Sequence, residues 1–187
     1  ATRIGMKILK DGGNAFDAAV AVSAALGVTE PYHSGIGGGG FWLLYDAKQN
    51  KNVLIDGREV APNAATKDMY LNAHGKALIN LSLFGPLAAA IPGEVAALTH
   101  ISDKYGSMSL KRSLQGAIDL AKNGFLVDET YLSILSNARV TKHLMSIPAT
   151  VKIFAPGGVL PEVGQRLYQK DLANTLELIA KNGRKGF

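Results

Sequence analysis

A run of glycines set between an apolar helical pattern and an apolar strand pattern constrains this chain more than any other feature. Gly35-Ile36-Gly37-Gly38-Gly39-Gly40 follows Glu30-Pro31 and leads into Phe41-Trp42-Leu43-Leu44-Tyr45. The spacing matches G-x-G-x-x-G, the fingerprint of dinucleotide-binding loops. That motif needs a strand before it and a helix after it, because the helix N-terminus must face the pyrophosphate. Here the order is reversed, which argues against nucleotide binding. Glycines in such number instead imply a backbone that passes very close to a neighbouring strand or a ligand.

The elements on either side follow from local chemistry. Thr2–Lys10 places Ile4, Ile8 and Leu9 on one helical face and stops at Gly12-Gly13, where glycine tolerates a left-handed turn. Because the sequence opens inside a helix with no cap ahead of it, a cut from a longer chain is expected. Asn14 is placed to cap a second helix with Asp17 in its first turn, favoured by the helix dipole. From Ala18 to Leu26 that helix is apolar on nearly every face and is expected to be buried.

Phe41–Tyr45 reads as a buried strand and Val53-Leu54-Ile55-Asp56 as its hairpin partner across a polar turn. The rest is predicted mostly helical: a short helix over Thr66–Ala73, one from Pro92-Gly93-Glu94 to Tyr105, and one capped by Ser109 with Leu110, Leu114, Ile118 and Ala121 inward. A helix capped by Asp128 carries Tyr131, Leu135 and Leu144. The last is capped by Asp171 and carries Leu172, Leu176 and Ile179. Phe154–Leu167, with its Pro-Gly-Gly, is expected to be a loop or irregular hairpin.

One hairpin among five to seven helices is an unbalanced domain, since two strands make no stable sheet unaided. The missing strands are expected from residues outside this chain or from a second chain. Residues 1–187 are therefore expected to form a single partial domain.

Composition narrows the function classes. Apolar residues make up 47% and charged residues 19% of the 187 positions, enough for a sizeable core and against disorder. The net charge is +5, yet basic residues are scattered, and no basic run exceeds the pairs Lys111-Arg112 and Arg184-Lys185. A nucleic-acid surface would cluster them, so no nucleic-acid partner is expected. There are no cysteines, which removes disulfides, thiol nucleophiles and thiolate metal sites. Ala18–Val28 is too short and too rich in alanine to span a membrane.

His33, His74, His100 and His143 share no helical metal-binding spacing, so neither a metal nor a cofactor is expected. His33-Ser34 is a poor base–nucleophile pair, because adjacent side chains on an extended chain point apart and no G-x-S-x-G elbow surrounds Ser34. Tyr32 and Trp42 read as packing aromatics.

Arg58 is the sharpest single residue. Standing between Gly57 and Glu59 at the end of a strand, it can project into a cleft, where its rigid fork grips a carboxylate through two hydrogen bonds. An internal ion pair with Asp56 or Glu59 is the competing reading from the residues alone.

Several blocks then line up in order: Gly12-Gly13-Asn14-Ala15 with Asp17-Ala18-Ala19, Glu30-Pro31, Ser34 to Phe41, Asp56-Gly57-Arg58-Glu59, and Ala61-Pro62. Ile91-Pro92-Gly93-Glu94, Tyr105-Gly106, Gly124-Phe125, Asp171-Leu172-Ala173 and Thr175-Leu176 continue the series. This order resembles that of the γ-glutamyltranspeptidases, over essentially the whole chain.

The resemblance implies an α+β fold, part of the four-layer αββα sandwich of N-terminal nucleophile (Ntn) hydrolases, with incomplete sheets. It also implies a precursor that cleaves itself into large and small subunits, the nucleophile being the threonine exposed at the start of the small subunit. This segment is similar to the N-terminal part of the large subunit and lacks the Thr-Thr-His nucleophile region. Arg58 matches the arginine that binds the α-carboxylate of the γ-glutamyl group, and Glu59 beside it would orient it or shape the pocket. The implied partners are glutathione or another γ-glutamyl compound and the small catalytic subunit. The implied location is periplasmic or extracellular. Cephalosporin and poly-γ-glutamate acylases share much of the scaffold and stand as alternatives. So does a stand-alone module that captures an acidic small molecule, which a monomeric, cooperatively folding chain that binds glutamate would favour.

Overall fold

The computed structural model describes all 187 residues. Their contacts gather into two compact units, residues 1–35 with 98–187 and residues 36–97. Eight α-helices and two separate two-stranded antiparallel sheets make up the chain.

The first unit is built on helices. Helix α1 (Thr2–Lys10) buries Ile8 but leaves Leu9 43% exposed, so the expected apolar face is narrower than its pattern. It crosses α2 (Ala15–Thr29) at close range: a Cβ on Gly5 would lie 2.6 Å from Val22 Cγ2. Asn14 caps α2 as its sequence predicts. Its side chain accepts from the Phe16 and Asp17 amides while Asp17 accepts from the Asn14 amide at 2.9 Å, a reciprocal capping box. Val20, Ala21, Ala24, Ala25 and Val28 are buried, so α2 is the central helix of this unit.

Helix α3 (Glu94–Tyr105) carries the chain from the second unit into the first. Ser109 caps α4 (Leu110–Asn123), whose Leu114, Ala117, Ile118 and Ala121 face the core beside α2.

Where one long helix after Asp128 is predicted, the chain makes three short ones: α5 (Glu129–Leu135), α6 (Ala138–Met145) and α7 (Pro148–Phe154). Asn137 ends the first run, because its side chain accepts from the Arg139 and Val140 amides and starts a new helix. Pro148 opens the third from its first position.

Helix α8 (Lys170–Asn182) buries Ala173, Leu176 and Ile179 against α4. Gln169, one residue ahead of it, donates from Nε2 to the Val28 carbonyl at 2.7 Å and so satisfies the end of α2. Phe154–Leu167 is irregular without forming a hairpin of its own: its last two residues, β4 (Arg166–Leu167), pair antiparallel with β3 (Phe125–Leu126) on the far side of α5, α6 and α7 in sequence.

In the second unit, β1 (Gly40–Asp46) pairs with β2 (Lys51–Gly57), with Trp42 opposite Ile55 and Leu44 opposite Val53. This face is covered, and Leu44 is only 6% exposed. The strand is not buried on both sides as its composition predicts: Phe41, Leu43, Tyr45 and Leu54 lie on the other face, 56–76% exposed. Thr66–Ala73 forms turns rather than a helix. Asn72 accepts from the His74 and Lys76 amides, drawing the backbone into a Gly75 turn at φ +73°.

Candidate functional site

The site begins at the end of β2, where the hairpin register places Gly57 opposite Gly40. Asp56 Oδ1 accepts the Arg58 amide at 3.0 Å, an Asx turn that bends the chain out of the strand. Two residues on, Val60 pairs with Ile91, the Val60 amide donating to the Ile91 carbonyl and the Ile91 amide to the Val60 carbonyl. The Arg58-Glu59 dipeptide is thus held at both ends.

Glycines close on the same peptide from two directions. A Cβ at Gly39 would lie 2.1 Å from the Gly57 carbonyl oxygen. A Cβ at Gly93 would lie 2.2 Å from that same oxygen and 2.8 Å from the Arg58 carbonyl oxygen. Gly57 itself has no room for a side chain, since its Cβ would meet Ala97 Cβ and the Trp42 ring at 2.6 Å each. The Gly93 and Glu94 amides both donate to the Gly38 carbonyl at 3.0 Å, fixing the glycine run against the start of α3. Within the run it is Gly39 that packs closely beside the strand end, whereas a Cβ at Gly35 or Gly37 would meet nothing within 4 Å; the run lies between helix α2 and strand β1, in the order that argues against a dinucleotide loop.

Arg58 projects its guanidinium into solvent, its side chain 69% exposed. Glu59 Oε2 stands 4.0 Å from Arg58 Nε, the outer limit of an ion pair, and its side chain is 32% exposed. At that separation in water the attraction is about 1 kcal/mol or less. Asp56 engages the backbone amide rather than the guanidinium. The structure therefore brings Arg58 and Glu59 together and leaves the fork of Arg58 facing solvent. A planar fork so placed can take a carboxylate bidentately.

Other sequence candidates fall elsewhere. His33 is exposed and Ser34 half-exposed, their amides donating to the Glu30 carbonyl at the end of α2. Tyr32 packs edge-on against Tyr131 at 5.5 Å, as a packing aromatic does. Sequence reasoning missed the positional roles of Gly39, Gly93 and Asp56. The glycine run announces a close approach but not its partner, and an Asx turn is legible only once the strand end is known. No helix is long and apolar enough to cross a membrane.

Comparison with known proteins places this geometry in context. A family profile, Gamma-glutamyltranspeptidase, matches residues 1–187. The chain is 42% identical to the glutathione hydrolase proenzyme of Bacillus subtilis (strain 168), across 100% of this chain and 32% of that protein. Among solved structures it is similar to the γ-glutamyltranspeptidase of Helicobacter pylori, with a TM-score of 0.94 and 41% identity over 99% of this chain and 52% of that one. A cephalosporin acylase from Bacillus halodurans is similar at a TM-score of 0.81 and 30% identity, over 97% of this chain and 34% of that one. The chain spans about a third of the length of the curated relative it matches.

Proposed function

The chain belongs to the gamma-glutamyltranspeptidase family, and from that premise we propose that the whole protein moves the γ-glutamyl group of glutathione or a similar amide to water or to an amino acid. Its fold class is that family's α+β Ntn-hydrolase arrangement, with incomplete sheets in this segment. The segment forms the N-terminal part of the large subunit. The nucleophile is a threonine of the small subunit, which attacks the γ-carbonyl, expels the amine and forms an acyl-threonine that water or an acceptor amine then resolves.

In this reading Arg58 holds the α-carboxylate of the donor, and Glu59 limits the orientations of its fork. The carrying observation is the guanidinium itself: it stands 69% exposed on a pinned backbone, with Glu59 at the limit of an ion pair. Such a group contributes binding and orientation rather than bond-making. The proenzyme named among the relatives supports a precursor divided into subunits.

The test is Arg58→Lys in the whole protein. A point charge cannot reproduce the two parallel hydrogen bonds of the fork, so KM for a γ-glutamyl anilide should rise about tenfold or more, as the loss of about 1.4 kcal/mol dictates. An unchanged KM would remove Arg58 from the site. The acylase relative favours a second reading, in which the donor is a cephalosporin side chain. Faster release of that side chain than of a γ-glutamyl amine would select it.

A further inference from the structure

We propose that Asp56 is a positioning residue for Arg58, acting through the main chain rather than through its charge. The inference rests on the reading of Arg58 as the carboxylate-binding arginine, and it concerns how that side chain comes to be presented in one place.

An exposed arginine on a mobile strand end would sample many positions, and ordering it on binding would weaken affinity. Here the Gly57–Arg58 peptide has little freedom. Its carbonyl at Gly57 fills the space that side chains at Gly39 and Gly93 would need. Gly57 is pressed against Ala97 and Trp42. These contacts bound the carbonyl side of the planar 57–58 peptide, and the direction of the Arg58 Cα–Cβ bond depends on its amide side as well.

The amide side is held by Asp56. Asp56 Oδ1 accepts the Arg58 amide at 3.0 Å. The hydrogen bond completes the alignment of the 57–58 peptide plane from its amide edge, and so narrows the directions in which the stem of Arg58 leaves the backbone. Asp56 is itself exposed. The ion pair of the guanidinium is with Glu59, so the contribution of Asp56 is that of an acceptor oxygen. An asparagine supplies the same oxygen without the charge.

The experiment compares Asp56→Ala, Asp56→Asn and Arg58→Lys in the whole protein, with kcat and KM measured separately for a γ-glutamyl anilide. Asp56→Ala should raise KM about three- to tenfold, the change that corresponds to one net hydrogen bond, with kcat changed less than about twofold. Asp56→Asn should bring KM back to within about twofold of the parent. Thermal midpoints of the variants, expected within a few degrees of the parent for an exposed site, separate positioning from unfolding.

The inference is overturned if Asp56→Ala leaves KM unchanged while Arg58→Lys raises it, because the arginine then binds donor without this turn. It is also overturned if Asp56→Asn is as impaired as Asp56→Ala, because the charge rather than the acceptor then matters. An unchanged KM in Arg58→Lys defeats the assignment of Arg58 instead, and with it the premise.

Discussion

Asp17 is fully buried yet has no cation beside it. Burial alone would push its carboxyl upward. The Ser107 hydroxyl at 2.7 Å and the amides of Asn14, Ser107 and Met108 overcome this and hold it below its ordinary value. The residue closes the start of α2 and, 90 positions away in sequence, the turn that leads into α4. Gly106 has no side chain because a Cβ would stand 2.6 Å from Asp17 Oδ1.

Asp17→Ala leaves those donors without an acceptor and should destabilise the whole protein by about 3 kcal/mol, read from urea unfolding at pH 7. The pH dependence has a definite sign. A carboxyl depressed in the folded state contributes stability above its unfolded value, about 3.9, and loses it as pH falls through the lower folded value. The gap between parent and Asp17→Ala should therefore narrow only below about pH 4. A gap that is constant down to the acid transition would show that the charge is not what stabilises.

The elements show which parts of the fold are written locally. Asn14, Ser109 and Asp128 cap their helices as the sequence predicts, because a cap is a contact within three residues; Asp171 does not, since α8 starts at Lys170 and holds Asp171 in its first turn. Asn137 was the same signal hidden inside an apolar pattern, and it divides what periodicity joins. Gln169 was not legible at all: its partner, the Val28 carbonyl, lies 141 positions away. Arg58 and Glu59 are marked by the resemblance of their surrounding motif, whereas the support beneath them depends on Gly39 and Gly93 meeting at Gly57. Glycine in those positions answers to packing against main chain rather than to a turn. Gly93→Ala should therefore force the Gly57–Arg58 peptide aside. The strain should cost about 1–3 kcal/mol in unfolding free energy, visible as a lower thermal midpoint, together with a higher donor KM. A Gly93→Ala protein equal to the parent in both would show that the carbonyl yields without consequence.

For the molecule as a whole, the shortage of strands predicted from sequence holds in the structure. Each sheet has two strands, and the hairpin that ends at Gly57, just before Arg58, leaves Phe41, Leu43, Tyr45 and Leu54 uncovered on one face. An apolar face of that kind on an edge-exposed hairpin is a place for further layers rather than for solvent. This agrees with a segment that spans about a third of its curated relative. On the proposed reading the nucleophile belongs to the rest of the complete protein, and residues 1–187 contribute one guanidinium to its chemistry.

The most direct measurement of that contribution is a double-mutant cycle in the complete enzyme. It compares kcat/KM for a γ-glutamyl anilide and for the corresponding 4-aminobutanoyl anilide, which lacks only the α-carboxylate, in the parent and in Arg58→Ala. If Arg58 clasps that carboxylate, the parent should favour the γ-glutamyl donor by about 30-fold or more, as expected for a charged hydrogen-bonded pair worth about 2 kcal/mol or more, and Arg58→Ala should erase most of the preference. A preference that survives intact without the guanidinium would contradict the account.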